Sequence, residues 1–135
     1  MIEYTTDISR ITEDMLEGFF VYWPNPPSAH AHLRILKCAY IAWVAIDTSS
    51  NKVVGFINAV SDGVFAAYIP LLEVLPEYQN KGIGKALVSR MLESLKNLYM
   101  VDLLCDDDMQ DYYAKFGMRK GTGSFIRNHS RQNCM

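Results

Sequence analysis

Four apolar residues, Ile83, Leu87, Met91 and Leu95, recur at steps of four, with Lys85, Ser89, Glu93 and Lys96 falling largely on the other side. That period predicts an amphipathic helix with one buried stripe. Ahead of it the pattern changes to short apolar, partly β-branched runs. Residues 39–46 and 53–60 flank the turn sequence Asp47-Thr-Ser-Ser-Asn51 and read as two strands of a hairpin. Residues 64–75 follow a second turn, Ser61-Asp-Gly63, and read as a third core strand. Pro70 interrupts it, and because proline removes a ladder donor, a bulge or a strand start is expected there.

Toward the N-terminus, residues 2–5 suggest an opening strand, and residues 12–20 a short helix with Thr12 as N-cap and Glu13 and Asp14 in its first turn. Pro24, Pro26 and Pro27 force residues 22–27 to be a loop, since they deny both helix and ladder hydrogen bonds. Residues 28–38 carry Ala31, Leu33, Ile35 and Leu36 at helical spacing. After the amphipathic helix, residues 99–105 read as a strand, 109–116 as a short helix closed by Gly117, and 119–127 as a last strand. The polar residues 128–135 are expected to fray. The result is an α/β chain of one domain, 1–135, without repeats or linkers.

Composition narrows the function classes. Half of the residues are hydrophobic and 12% aromatic, which supports a sizeable core rather than disorder. A net charge of −2 and a pI near 5.9 argue against a general nucleic-acid surface. Cys38, Cys105 and Cys134 are odd in number and lack a Cys-x-x-Cys spacing, so neither a disulfide framework nor a zinc site is expected, and a reducing cytoplasm fits. His30 and His32 offer no further metal ligands nearby in sequence. The opening Met1-Ile-Glu-Tyr lacks a basic, apolar signal pattern, and the longest apolar run, residues 38–46, is too short to cross a bilayer.

The strongest chemical signal is Val74-Leu-Pro-Glu-Tyr-Gln-Asn-Lys-Gly-Ile-Gly-Lys-Ala-Leu87, where a strand turns into the amphipathic helix. Gly82 and Gly84 allow close backbone approach, and the first N–H groups of a helix lack internal acceptors, so phosphate is the natural ligand. Lys81 and Lys85 add positive charge. A Walker A loop is excluded because Ala86 follows Gly84-Lys85 and Gln79 stands where the first glycine belongs. A dinucleotide fingerprint is weak because Leu87 replaces its third glycine. The pattern Gln/Arg-x-x-Gly-x-Gly/Ala after Val-x-Pro is met in full by Gln79-Asn80-Lys81-Gly82-Ile83-Gly84. Farther on, Tyr112-Tyr113-Ala-Lys-Phe-Gly117-Met118 is similar to an aromatic-Tyr-x-x-x-Gly-aromatic helix end, with Met118 in place of the last aromatic residue.

At these two motifs the chain resembles the GNAT superfamily of acyl-CoA-dependent N-acetyltransferases, well over residues 53–118 and in outline before them. The resemblance implies a central mixed, mostly antiparallel sheet that splays between its fourth and fifth strands, flanked by about four helices. It implies acetyl-CoA as co-substrate, with the pantetheine arm along Leu72, Glu73 and Val74 and the pyrophosphate on Gln79, Asn80, Lys81, Gly82, Ile83, Gly84 and Lys85. Asp106 stands where related enzymes often place a cofactor-contacting Asn. Tyr113 matches the family's tyrosine and is expected to protonate the departing thiolate, while Tyr112 belongs to the core.

The reaction implied is acetyl transfer to a primary amine by direct attack. A lysine-like amine has a pKa near 10.4, so freeing its lone pair at pH 7 costs about 4 to 5 kcal/mol unless a base assists. Glu73 is the first choice for that base, against a structural role at even weight, with Asp102 and Asp106 as competitors. Backbone N–H groups near Val74 are expected to hold the developing oxyanion. Tyr22, Trp23, Asp62 and Tyr68 are acceptor-site candidates, and the carboxylates favour a small cationic amine. A protein lysine or N-terminal amine is the nearest alternative acceptor. A non-catalytic acyl-CoA-binding module is the alternative of another class. Self-association through strand edges, giving a homodimer, is open.

Overall fold

The computed structural model describes all 135 residues. Strands β1 (Ile2–Thr5), β2 (Ile41–Asp47), β3 (Lys52–Ser61), β4 (Ala66–Val74) and β5 (Met100–Asp102) form one sheet in sequential order. The first four pair antiparallel, and β4 with β5 parallel. A parallel neighbour requires a crossover. Helix α2 (Ile83–Ser94) supplies it, while α1 (Ala29–Cys38) precedes β2 and α3 (Gln110–Ala114) follows β5.

Each face of the sheet carries its own core. The predicted stripe of α2, Ile83, Leu87, Met91 and Leu95, is at most 3% exposed and packs on Ala45, Val54, Ile57, Ala59, Ala67 and Ile69. On the other face Leu36 of α1 joins Ile11, Met15, Leu16 and Phe20 over Val44, Ile46, Val53 and Phe56. Two bulges adjust the sheet. Val54 is the extra residue where Ala45 pairs with Gly55 and Ile46 with Val53. A Cβ on Gly55 would come within 3.2 Å of Ile83 and Leu87, so glycine is what lets α2 settle on β3. The second bulge is at Ile69–Pro70, as the proline predicts, and the next N–H, of Leu71, donates to the buried Asn58 Oδ1 at 3.1 Å.

Three expectations are corrected. Residues 12–20 form only a 3-10 turn, Glu13–Leu16, because Thr12 makes no side-chain cap bond and the chain turns left-handed at Gly18 (φ 93°) and Phe20 (φ 61°). Residues 119–127 form no strand, since their backbone joins no ladder; the sheet ends at β5. Residues 128–135 contain a 3-10 turn, His129–Arg131, and are tethered by the Asn25 N–H, which donates to Gln132 Oε1 at 2.9 Å. The α-helices therefore number three rather than about four, the last only five residues long. Ser28 caps α1 through the Ala31 N–H at 3.1 Å.

Candidate active site

The sheet opens where the motifs predict. Strand β5 pairs with Ala66, Ala67 and Tyr68 of β4 and with nothing beyond, so from Ile69 to Val74 that edge of β4 has no strand beside it. At the end of this free edge stands the glycine turn. Gln79 Nε2 donates to the Val74 carbonyl at 3.1 Å, tying the loop back to the strand, and Pro76 begins a short 3-10 turn. Asn80 (φ 63°) and Gly82 (φ 85°) are left-handed, which brings the chain sharply into α2. The first backbone bond of that helix runs from Ala86 N–H to Gly82 O, leaving the N–H groups of Ile83, Gly84 and Lys85 without intrahelical acceptors.

The glycines do different work. A Cβ at Gly82 would meet nothing within 4 Å, so that position faces open space and is glycine for its φ. One at Gly84 would lie 3.4 Å from Tyr112 Oη and 3.7 Å from Val74, so Gly84 lets the helix start pack against α3 and β4. Ile83 is buried and offers a ligand only its backbone. Lys81 and Lys85 are exposed, with Lys81 Nζ 5.3 Å over the Tyr78 ring.

Tyr113 lies on α3 among partly buried aromatics, its ring 5.2 Å from that of Tyr112. Gly117 (φ 87°) ends this helical turn. Burial, helped by the neighbouring Cys105 and Tyr112, pushes the Tyr113 phenol up to about 12. It therefore stays protonated through neutral pH and is able to donate. Cys105 was not singled out from the sequence; burial and the carboxylates of Asp106, Asp108 and Asp107 raise its thiol, keeping it neutral. Asp106 is exposed, and its backbone carbonyl accepts from the Met109 N–H at 2.9 Å.

A cleft of about 430 Å³ lies between the loop Val21–Trp23 and residues 71–74 of β4, with Phe56, Pro76 and Gln79 also in its lining. Tyr22 and Trp23 line it. The structure does not bring Asp62 and Tyr68 there. Asp62 Oδ1 accepts the N–H groups of Val64, Phe65 and Ala66 in the β3–β4 turn, which holds its carboxyl below the usual range. Tyr68 sits in the paired part of β4, opposite Asp102.

Glu73 reaches the cleft, but both its oxygens are engaged. Oε1 accepts the Phe20 N–H at 2.9 Å and Oε2 the Val21 N–H at 3.3 Å. The left-handed turn at Phe20 aims two successive N–H groups at one carboxylate, an anion nest 53 residues away in sequence. Behind the same loop His32 is 1% exposed and packed against Phe19, Phe20 and Phe56, its ring nitrogens unpaired. Burial pushes it down to about 4, so it is neutral. His30 instead faces outward, 2.6 Å from Glu13, so the two histidines do not converge.

The sequence matches the acetyltransferase (GNAT) family over residues 8–118. A candidate acetyltransferase from Deinococcus radiodurans R1, known from its crystal structure, superposes with a TM-score of 0.94 at 41% identity, over 98% of this chain and 92% of that one. GCN5-related N-acetyltransferase 2, chloroplastic, of Arabidopsis thaliana is 37% identical over 69 residues, 50% of this chain and 27% of that protein. Uncharacterized N-acetyltransferase ycf52 of Pyropia yezoensis is 30% identical over 103 residues, 74% of this chain and 59% of that protein. The chain thus spans less than two thirds of the length of these two relatives. With the parted β4 and β5, the unpaired α2 start and the Tyr113 helix end all in register with that match, the chain belongs to the GNAT acetyltransferase family.

Proposed function

We propose that this chain moves an acetyl group from acetyl-CoA to a primary amine. The observation that carries the reading is one continuous track: the unpaired edge of β4 leads directly to the unpaired N–H groups of α2. An extended amide-containing arm fits the first, and a pyrophosphate the second. Leu72 and Val74 would take the arm. Gln79, Asn80, Lys81, Gly82, Ile83, Gly84 and Lys85 would form the cradle, chiefly through backbone N–H groups, and Asp106 would lie near the cofactor after β5. The thioester supplies the activated acyl group.

Within that reading the protein's own groups manage protons and position. Tyr113, held neutral by burial, donates to the leaving sulfur. Glu73 borders the cleft with Tyr22 and Trp23, and each of its oxygens keeps a lone pair beyond the one given to the loop. It is therefore assigned two tasks, fixing the acceptor loop and taking the amine proton directly or through water. The acceptor assigned is a small cationic amine, attracted by that carboxylate. A protein amine is the second reading, favoured by Tyr22, which stands 99% exposed at the rim and could meet a polypeptide. Calorimetry with acetyl-CoA, followed by CoA release assayed against small amines and lysine peptides, tests all of this. Binding with amine-dependent release supports the enzyme and selects its acceptor. Binding without release on any amine points to a sensor module, and no binding refutes the reading.

A further inference from the structure

The turn that leads into α2, residues 76–82, has little backbone support of its own. Its bonds run between near neighbours, from the Tyr78 N–H to the Leu75 carbonyl at 2.9 Å and from the Gln79 N–H to the Pro76 carbonyl at 3.3 Å, and the Gln79 side chain reaches only Val74. From Asn80 to Lys85 no N–H has a backbone acceptor. Asn80, at φ 63°, is left-handed without being glycine, a conformation that persists where its surroundings hold it. Apart from packing of the Tyr78 ring on the α2 core, one side-chain bond ties this turn to a distant part of the chain. Tyr78 Oη donates to Asp47 Oδ2 at 2.6 Å, across 31 residues, joining the turn to the end of β2.

On charge alone Asp47 is a poor choice, because a carboxylate one side chain away from an anion cradle opposes the anion. Its charge is taken up by donors. Oδ1 accepts the Ser49 N–H at 3.0 Å and the Ser49 hydroxyl at 2.6 Å, which leaves Oδ2 for Tyr78. These donors, Ser49 foremost, hold the Asp47 carboxyl down to about 2, and the bond to Asp47 pushes the Tyr78 phenol up. Through neutral pH the pair is therefore a carboxylate and a phenol sharing one charge-assisted bond. The ring so fixed lies under Lys81, whose Nζ is 5.3 Å from its centroid. We propose that Asp47 and Tyr78 are positioning residues for the co-substrate: their bond holds the glycine turn and, through the ring, the Lys81 ammonium in the pose that meets an acyl-CoA pyrophosphate. This rests on the reading of the turn as the acetyl-CoA cradle. Neither residue is assigned a contact with the reacting groups, so their effect belongs to co-substrate affinity.

Calorimetry of the full chain with acetyl-CoA, beside thermal melting of the ligand-free chain, tests this. Tyr78→Phe keeps the ring and its packing and deletes only the hydroxyl. Its acetyl-CoA Kd should rise about 3- to 10-fold while the ligand-free melting temperature moves little, because a turn that is competent for part of the time lowers affinity by that fraction. Asp47→Asn should raise Kd in the same direction, although loss of a negative charge beside an anion site would by itself tighten binding. The double variant should bind no worse than the weaker single one, since both remove the same bond. If Asp47→Asn fails to fold, Tyr78→Phe alone decides. No binding by the wild-type chain removes the cradle reading and this inference with it. Wild-type binding that Tyr78→Phe leaves unchanged, tighter binding by Asp47→Asn, or losses that add in the double variant overturn this inference alone and leave the cradle standing.

Discussion

Replacing Glu73 by Gln separates its two assigned tasks. The carboxylate accepts two backbone N–H groups, from Phe20 and Val21, in a partly buried setting. An amide keeps one acceptor and turns the other atom into a donor facing a donor. One charge-assisted bond, worth about 1.5 to 3 kcal/mol, is therefore lost, and the second is weakened by loss of charge. Because Phe20 is held at φ 61°, the unbonded turn relaxes, and Tyr22 and Trp23 leave their places along the cleft. At 1.4 kcal/mol per factor of ten, the closed loop falls about 10- to 100-fold in population, so the acceptor KM should rise by a similar factor while acetyl-CoA affinity holds. If Glu73 also takes the amine proton, kcat falls too. Steady-state CoA release, with limited proteolysis of residues 17–25, reads both effects. Unchanged proteolysis and unchanged acceptor KM would refute the anchoring argument; an unchanged kcat would remove Glu73 as base.

Gly82→Asp adds a negative charge where the cradle is open and where φ is 85°; calorimetry should show acetyl-CoA binding abolished with the fold retained, and surviving affinity would end the cradle assignment. Tyr113→Phe should keep acetyl-CoA affinity and lower turnover about 10- to 10³-fold, unchanged turnover returning Tyr113 to a packing role. Burial also ties Tyr113 to stability: the unfolded chain loses this proton near pH 10 and the folded chain near 12, so the contribution falls as pH rises through that window, and Tyr113→Phe should flatten the alkaline melting profile. His32 acts in the opposite sense. Folded, it resists protonation down to about 4, whereas the unfolded chain takes up the proton near 6.5, so stability drops by up to about 3 kcal/mol as pH falls through this range. His32→Leu should remove most of that acid dependence, measured by denaturant titration at pH 7 and 4.

What the sequence disclosed was local chemistry. The steps of four in α2, the glycine turn and the proline bulge each depend on neighbours within a few residues, and all appear where they were read. Asp62 was equally readable: an Asp-Gly turn is where a carboxylate accepts the next N–H groups, and that signal should have outweighed its charge. The Glu73 nest was not readable, because it joins a strand to a loop 53 residues away and depends on a left-handed phenylalanine. Residues 119–127 have a strand's composition, but a strand exists only where its backbone joins a ladder, and theirs joins none. The Cys105–Tyr113 neighbourhood likewise arises from how α3 folds back, not from spacing.

The split between β4 and β5 also divides the molecule mechanically. Only three residue pairs connect β5 to the rest of the sheet, whereas β4 is joined to β3 over most of its length. The half containing β5 and α3 should therefore detach at a lower free energy than the four-stranded half and exchange its amides as a separate cooperative unit. A ligand spanning the split would staple the two halves together. Its binding energy would appear as added rigidity of the weaker half, so heat resistance should rise with acetyl-CoA concentration most in the part of the chain that begins at Tyr99.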